Sequence, residues 1–384
     1  MTLIDLDQAA TTAMRRAVLE EMWPWLTGEH GNPSSTHALG RRAADGLADA
    51  RARIAAIAGV RPAQVVLTSG GTESDNLGVI GLTLAAIAAG RDRHVVVSAI
   101  EHEAVLASAG FLARWHGVEV TRVPVDADGM LDAEALRAAL RPGTALVSVQ
   151  AANNEVGTLQ PLDAVVAAAR SVGARVHTDA VQYAGWYPPS ELPPVDAVTI
   201  SGHKLGAPKG IGALLLPTGA PVEPVIHGGG QERERRSGTE NVAGAVGLAR
   251  ALELAEEDRA AHPLAGLEAQ RDAFIAAVLT GVPGARLTGH PVRRLPCHAS
   301  FVVPGIGGEP LLIALDDRGI LASSGSACAA GRDEPSPVLL AMGVDPDTAR
   351  TAIRFTWGTS TIQESLETAA RELAQSAASL RGLG

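Results

Sequence analysis

SGHKLGAPKG, Ser201–Gly210, lies between two short apolar runs, DAVTISG (Asp196–Gly202) and GALLLP (Gly212–Pro217), and holds both lysines of a 384-residue chain. The flanking runs read as β-strands. Five more precede them: VVLTS (Val65–Ser69), HVVVSA (His94–Ala99), VEVTRVPV (Val118–Val125), TALVSVQ (Thr144–Gln150) and RVHTDA (Arg175–Ala180). Most are apolar on both faces, as in strands covered by helices on each side. Amphipathic helical patterns separate them, among them EHEAVLASAGFLARWHG, DAEALRAAL and PLDAVVAAARSVG. This alternation predicts an α/β fold with a mostly parallel seven-stranded sheet between helices and its chemistry at the carboxyl ends of the strands. From about Asn241 the texture changes to a long helix through Glu257, another over Pro263–Leu279, and then short strands and helices. That part reads as a smaller α+β domain. The expected division is a large domain over 15–255 and a small one made of 1–14 with 256–384.

Composition limits the partners. With 32 basic against 42 acidic residues and a net charge of −10, the chain has no basic run suited to nucleic acid or an anionic membrane. It suits a protein that handles small molecules. The opening MTLIDLDQAATTAMRR carries acids where a signal peptide would be basic and then apolar, and no window reaches the length of a membrane span. The expectation is a cytoplasmic protein. Two cysteines, Cys297 and Cys328, are too few for a disulfide framework and lack zinc-site spacing, so no metal is expected.

The loops after the strands carry the chemistry. GGTESDN (Gly70–Asn76) puts two glycines at a helix start, where free N–H groups and the helix dipole suit a phosphate. Thr72 and Asp75 also fit an ordinary helix cap. After HVVVSA come Glu101 and His102, and after TALVSVQ the amide-rich AANNEVG (Ala151–Gly157). RVHTDAVQ leaves Asp179 and Gln182 at a strand terminus, and DAVTISG runs into His203 and Lys204. An amine for a Schiff base, an anion site and an acid for a ring nitrogen are the three needs of pyridoxal phosphate. In a chain that otherwise uses arginine, lysine is the basic residue whose imine chemistry arginine cannot replace. Composition alone leaves Lys204 and Lys209 as alternatives.

In their order along the chain, GGTESDN, EHEAVL, ANNEVG, HTDAVQ, SGHKLGAPKG, HGGGQERERRSGTEN, SSGSAC and IRFTWGTST resemble the cysteine desulfurases of the fold-type I, class V aminotransferase superfamily. The resemblance runs from LDQAATT to the last domain. SSGSAC is similar to the NifS/IscS-like housekeeping and nitrogen-fixation branch rather than to the branch with an Arg-Gly-His-His run. It implies a fold-type I large domain and a homodimer that uses pyridoxal 5′-phosphate to convert L-cysteine to L-alanine. The sulfur would pass as a persulfide through Cys328 to an acceptor, such as an iron–sulfur scaffold or a thiolation enzyme.

Residue by residue, the resemblance makes Lys204 the Schiff-base lysine and Asp179 the partner of the ring nitrogen. Gln182 and Asn154 would bond the phenolic oxygen, and His102 would stack on the ring and assist proton transfer. Gly71, Thr72, Ser201 and His203 would hold the phosphate, joined by Thr239 from the neighbouring subunit. Arg354, with Asn154, would bind the substrate carboxylate, a task suited to a bidentate fork. Cys328 would be the nucleophile, and by its composition SSGSACAAGRDEPSP (Ser323–Pro337) reads as a mobile loop that exposes it. Cys297, at the start of a strand, is expected in the core. Gln8 and Trp357 depart from the family's usual residues, and Trp357 is expected at the pocket rim. A selenocysteine lyase, another class V enzyme and a non-catalytic sulfur-relay partner are the alternatives.

Overall fold

The computed structural model describes residues 3–324 and 334–382. Its strands are β1 (Ile4–Asp5), β2 (Val65–Thr68), β3 (His94–Ser98), β4 (Glu119–Val123), β5 (Leu146–Ser148), β6 (Arg175–Asp179), β7 (Ala197–Ser201), β8 (Gly212–Leu215), β9 (Arg286–Leu287), β10 (His298–Val302), β11 (Ile320–Leu321) and β12 (Ala352–Thr356). The main sheet has seven strands in the order β2-β8-β7-β6-β5-β3-β4. Only β8 runs against its neighbours, pairing antiparallel with both β2 and β7. The cause is the quoted segment. The ten-residue link over 202–211 is too short and too broken for a crossover helix, so β8 turns straight back along β7. Because β2 and β7 flank β8, both still point the same way as β6, β5 and β3. All five therefore end on one side of the sheet.

Both faces are covered. On one, Val147, Val198 and Ala213 pack with Val18, Leu47, Ile54 and Leu248 from the helices Arg16–Thr27, Ala38–Ile57 and Val242–Ala261. On the other, Val66, Val95, Leu146 and Leu214 pack with Leu77 and Leu112. Leu77 belongs to a helical run of Gly71–Asn76, a π turn at Leu77–Gly81 and a continuation over Leu82–Ala88. Leu112 lies on the helix Glu103–His116.

The remaining strands form a three-stranded antiparallel sheet, β12-β10-β9, and a parallel pair, β1-β11. The helices Leu264–Gly281, Gly308–Asp316 and Gln363–Arg381 cover them. Their core is aromatic, with Phe274 edge-on to Phe355 and Trp357 at centroid distances of 5.3 and 5.5 Å. Trp357, expected at the pocket rim, does line the pocket beside Lys204, but with its body packed into this core. It is 1% exposed, and its indole Nε1 donates to Gln270 Oε1 at 3.3 Å, so volume and a polar tip are both satisfied in this core. Cys297 is buried in the same cluster, as expected.

Candidate active site

The N-terminal segment fastens the lysine turn. Thr12 N–H and its hydroxyl both donate to the His203 carbonyl, and Arg15 N–H donates to the Gly206 carbonyl at 2.9 Å. Lys204 itself occupies a short 3₁₀ turn, Gly202–Lys204, directly after β7. Its Nζ donates to the carbonyls of Ala9 and Ala10, the latter at 2.7 Å. Gln182 Nε2 reaches the same Ala9 carbonyl at 3.0 Å, so the lysine and the residue after β6 meet over one peptide. His203 Nδ1 lies 3.1 Å from the Thr11 hydroxyl. Burial, then the charges of Lys204 and Lys209, push His203 down to about 4, so its ring is neutral near pH 7.

Asp179 ends β6 and is buried, with Oδ1 accepting from Val181 N–H at 2.8 Å. Burial raises it from the ordinary carboxylate range, and His102 and Lys204 draw it back. His102 caps the helix Glu103–His116, its Nδ1 accepting from Ala104 N–H at 3.1 Å. A neutral ring in that pose carries its proton on Nε2.

The glycine turn after β2 is shaped as a cradle. Gly70 has φ 153°, a conformation that L side chains rarely adopt, and a Cβ on Gly71 would lie 3.1 Å from Val181 Cγ2 and 3.3 Å from Ser201 Cβ. Ser201 Oγ is buried beside it with no hydrogen-bond partner. No side chain caps this helix, contrary to the capping reading of Thr72 and Asp75. Thr72 is exposed, and Asp75 is buried beneath the first turn. Unspent amides, a backbone that approaches closely and an unpaired hydroxyl fit a phosphate group.

The turn is also tied to the HGGGQERERRSGTEN segment. Glu73 accepts from Ser69 N–H and pairs with Arg236 at 2.6 Å. Glu232, Arg233 and Glu234 adopt left-handed φ values of 49, 59 and 64°. A buried Arg51–Glu232 pair at 2.6 Å, with Leu67 N–H donating to the same carboxylate, holds the first of them. Thr239 follows on this segment and is exposed.

Arg354 lies on β12 and is 1% exposed. Its Nη1 donates to the Asn154 carbonyl at 3.0 Å, and its Nη2 pairs with Asp7 at 2.7 Å. The Asn154 carbonyl also takes His298 Nε2 at 3.2 Å. A cavity of about 340 Å³ opens beside Lys204 and Gln182 and is walled by Arg15, Trp186, Cys297 and Trp357. Cys297 is pushed well above its usual range by burial, which makes it a poor thiolate. Cys328 lies outside the described residues.

Sequence reasoning missed Asp7 and the Ala9 and Ala10 carbonyls, which reach Arg354 and Lys204 only through tertiary contact. It also missed the partners of Asp75 and Glu101. An acid at a helix start or strand end reads as a cap, although their apolar surroundings were a usable signal.

The chain matches the model of the aminotransferase class-V family over residues 4–368. It is 42% identical over 365 residues to a cysteine desulfurase IscS of Dictyoglomus turgidum, covering 94% of this chain and 91% of that protein. A solved NifS-like protein superposes with a TM-score of 0.88 at 35% identity, covering 97% of this chain and 99% of the other. SspA, solved in complex with cysteine, superposes with a TM-score of 0.79 at 31% identity over 94% of this chain and all of that one (100%).

Proposed function

The chain belongs to the class-V aminotransferase family and, within it, to the cysteine desulfurases, and on that premise we propose that it converts L-cysteine to L-alanine with pyridoxal 5′-phosphate. This family works with that cofactor in general. The observation that carries the reading is the convergence of the Lys204 amine, the Asp179 carboxylate and the unpaired Ser201 hydroxyl beside the Gly70–Gly71 cradle.

Gly71, Thr72, Ser201 and His203 would hold the phosphate, with Thr239 of a second copy completing the site in a homodimer. Asp179 would face the ring nitrogen, Gln182 and Asn154 the phenolic oxygen, and His102 the ring face. Bound there, the cofactor supplies an electron sink for negative charge at the substrate Cα. Lys204 provides the anchoring amine and takes the Cα proton on Nζ, with His102 assisting that transfer. Arg354 grips the substrate carboxylate, which replaces Asp7 on its fork. Cys328 Sγ, as thiolate, forms an S–S bond to the substrate sulfur while the Cβ–S bond breaks and its electron pair stays with the carbon fragment. Cβ is then protonated, Lys204 Nζ returns a proton to Cα, and alanine leaves. The persulfide on Cys328 passes its outer sulfur to an acceptor thiol, on an iron–sulfur scaffold or a thiolation enzyme, by exchange.

We also propose the large unit as 15–255 and the small as 1–14 with 256–384, a boundary that falls inside the helix Val242–Ala261. Pairing of β1 with β11 supports placing the first residues with the small unit. No helix among the described residues is long and apolar enough to cross a membrane. The proposed location is the cytoplasm.

The test is alanine production from L-cysteine by wild type, Lys204→Ala and Cys328→Ala side by side. Wild type is expected to absorb as a cofactor imine and to release alanine. Lys204→Ala loses both, and Cys328→Ala keeps the cofactor but loses alanine about a hundredfold or more. A colourless wild type that releases no alanine sinks the reading.

A further inference from the structure

A layer of buried polar side chains next to Asp179 has no task in the reaction as described. His177 of β6 stands between two hydroxyls, with Ser148 Oγ 2.8 Å from Nδ1 and Thr199 Oγ1 3.0 Å from Nε2. Thr199 also bonds the carboxyl of Asp75, on the helix that covers this face. The covering run makes room for the imidazole through its π turn. Gly78 lies against the ring, and a Cβ there would come 2.6 Å from His177 Cδ2.

Asp75 is 1% exposed, and its Oδ1 has no hydrogen-bond partner. The titratable groups facing it are His177 from β6 at 3.7 Å, Asp179 at the end of β6 and Glu101 after β3. None supplies a positive charge. Burial pushes His177 down to about 3, so the 3.7 Å approach is not an ion pair near pH 7. On its own helix, Glu73 is spent on Arg236. Lys204, and His102 only in its charged form, act on Asp179 instead and draw that acid toward ionisation. Glu101 is similarly buried. Its Oε1 accepts from Ser98 and from Gln150 N–H, its Oε2 has no partner, and burial pushes it up to about 8.

Two neighbouring buried acids cannot both ionise cheaply, and the proton settles on the one without a cation. We propose that Asp75 is a positioning residue: it keeps the proton that it and Asp179 would otherwise share, leaving Asp179 as the carboxylate that faces the ring nitrogen. This rests on Asp179 being the ring partner. The shift of Asp75 well above its usual range, caused by burial and then by the charge of Asp179, agrees in direction.

The test is infrared spectroscopy of the purified holoenzyme grown with ¹³C-aspartate, together with the acid limb of the pH profile of cofactor absorbance. Wild type is expected to show, at neutral pH, the carbonyl stretch of a protonated aspartic acid, which Asp75→Asn removes. In Asp75→Asn the acid limb moves by less than about half a unit, because a neutral group replaces a neutral group. A wild type without the aspartic acid band overturns the proposal. So does an acid limb that falls by about one unit or more in Asp75→Asn, since that shift means a negative charge has been removed from beside Asp179. If Asp75→Asn fails to fold, Asp75→Glu keeps the acid while losing the aspartate label, and the labelled band must vanish. A wild type with neither cofactor absorbance nor alanine release sinks the desulfurase reading instead, and is recognised before any variant is compared.

Discussion

At the residue scale the two lysines separate cleanly. Lys204 is half-buried and held by two carbonyls at a strand end, whereas Lys209 is exposed, beyond the turn. Lys209 still has a measurable role, because its charge is among the causes that keep His203 neutral. Removing a nearby positive charge raises an imidazole's pKa. Lys209→Gln is therefore expected to move the His203 titration upward from about 4, while Lys209→Arg leaves both the titration and alanine release unchanged. Proton NMR of the imidazole resonances across pH decides it. An unmoved His203 in Lys209→Gln would leave burial and Lys204 as the whole cause.

At the element scale, the HGGGQERERRSGTEN segment shows how a strained loop is kept in place. Consecutive non-glycine residues at positive φ cost roughly 1–2 kcal/mol each. The compensation is the Arg51–Glu232 pair, bidentate at 2.6 and 2.8 Å and buried on both sides. It ties the loop to the helix Ala38–Ile57 and to β2. Losing one partner leaves an uncompensated buried charge, so Glu232→Ala is expected to cost about 3–5 kcal/mol by urea denaturation. The same change should loosen Arg236 from Glu73 and weaken phosphate binding at the glycine turn. Retained stability would mean that the guanidinium finds other acceptors besides the Val65 carbonyl. The motif's residues were legible in the sequence. Its left-handed turn was not, because glutamate and arginine carry no local preference for it.

At the scale of the whole molecule, the buried acids and histidines set how stability responds to pH. Glu101 has its folded value raised from 4.5 to about 8, so its contribution is complete below about 4.5 and is lost as pH rises through about 8. His177 is depressed from 6.5 to about 3, so its contribution is present above about 6.5 and is lost as pH falls toward about 3. The two slopes oppose one another between 4.5 and 6.5, and above 6.5 that of Glu101 continues alone of the pair. Each group contributes at most about 1.4 kcal/mol per pH unit. Denaturant midpoints of the holoprotein are expected to fall between pH 6.5 and 8, and Glu101→Gln should flatten that fall. An equally steep fall in the variant would exclude Glu101 as its source.

The sequence by itself determined the sheet and the order of its chemistry. Strands buried on both faces read as unbroken apolar runs, and the residues that follow them land at carboxyl ends whatever the exact strand order. Lys204, Asp179 and the glycine turn were legible for that reason, as was Cys297 in the core. Tertiary structure alone decided which groups those residues meet. The Ala9 and Ala10 carbonyls reach Lys204 across nearly two hundred residues of chain, and Asp7 reaches Arg354 across more than three hundred. Trp357 turned inward because an aromatic core formed around Phe274. Asp75 became an acid without a cation because the π turn and Gly78 set its helix against His177. Local pattern records what a side chain prefers, whereas desolvation and the sign of its neighbours exist only once distant segments have packed.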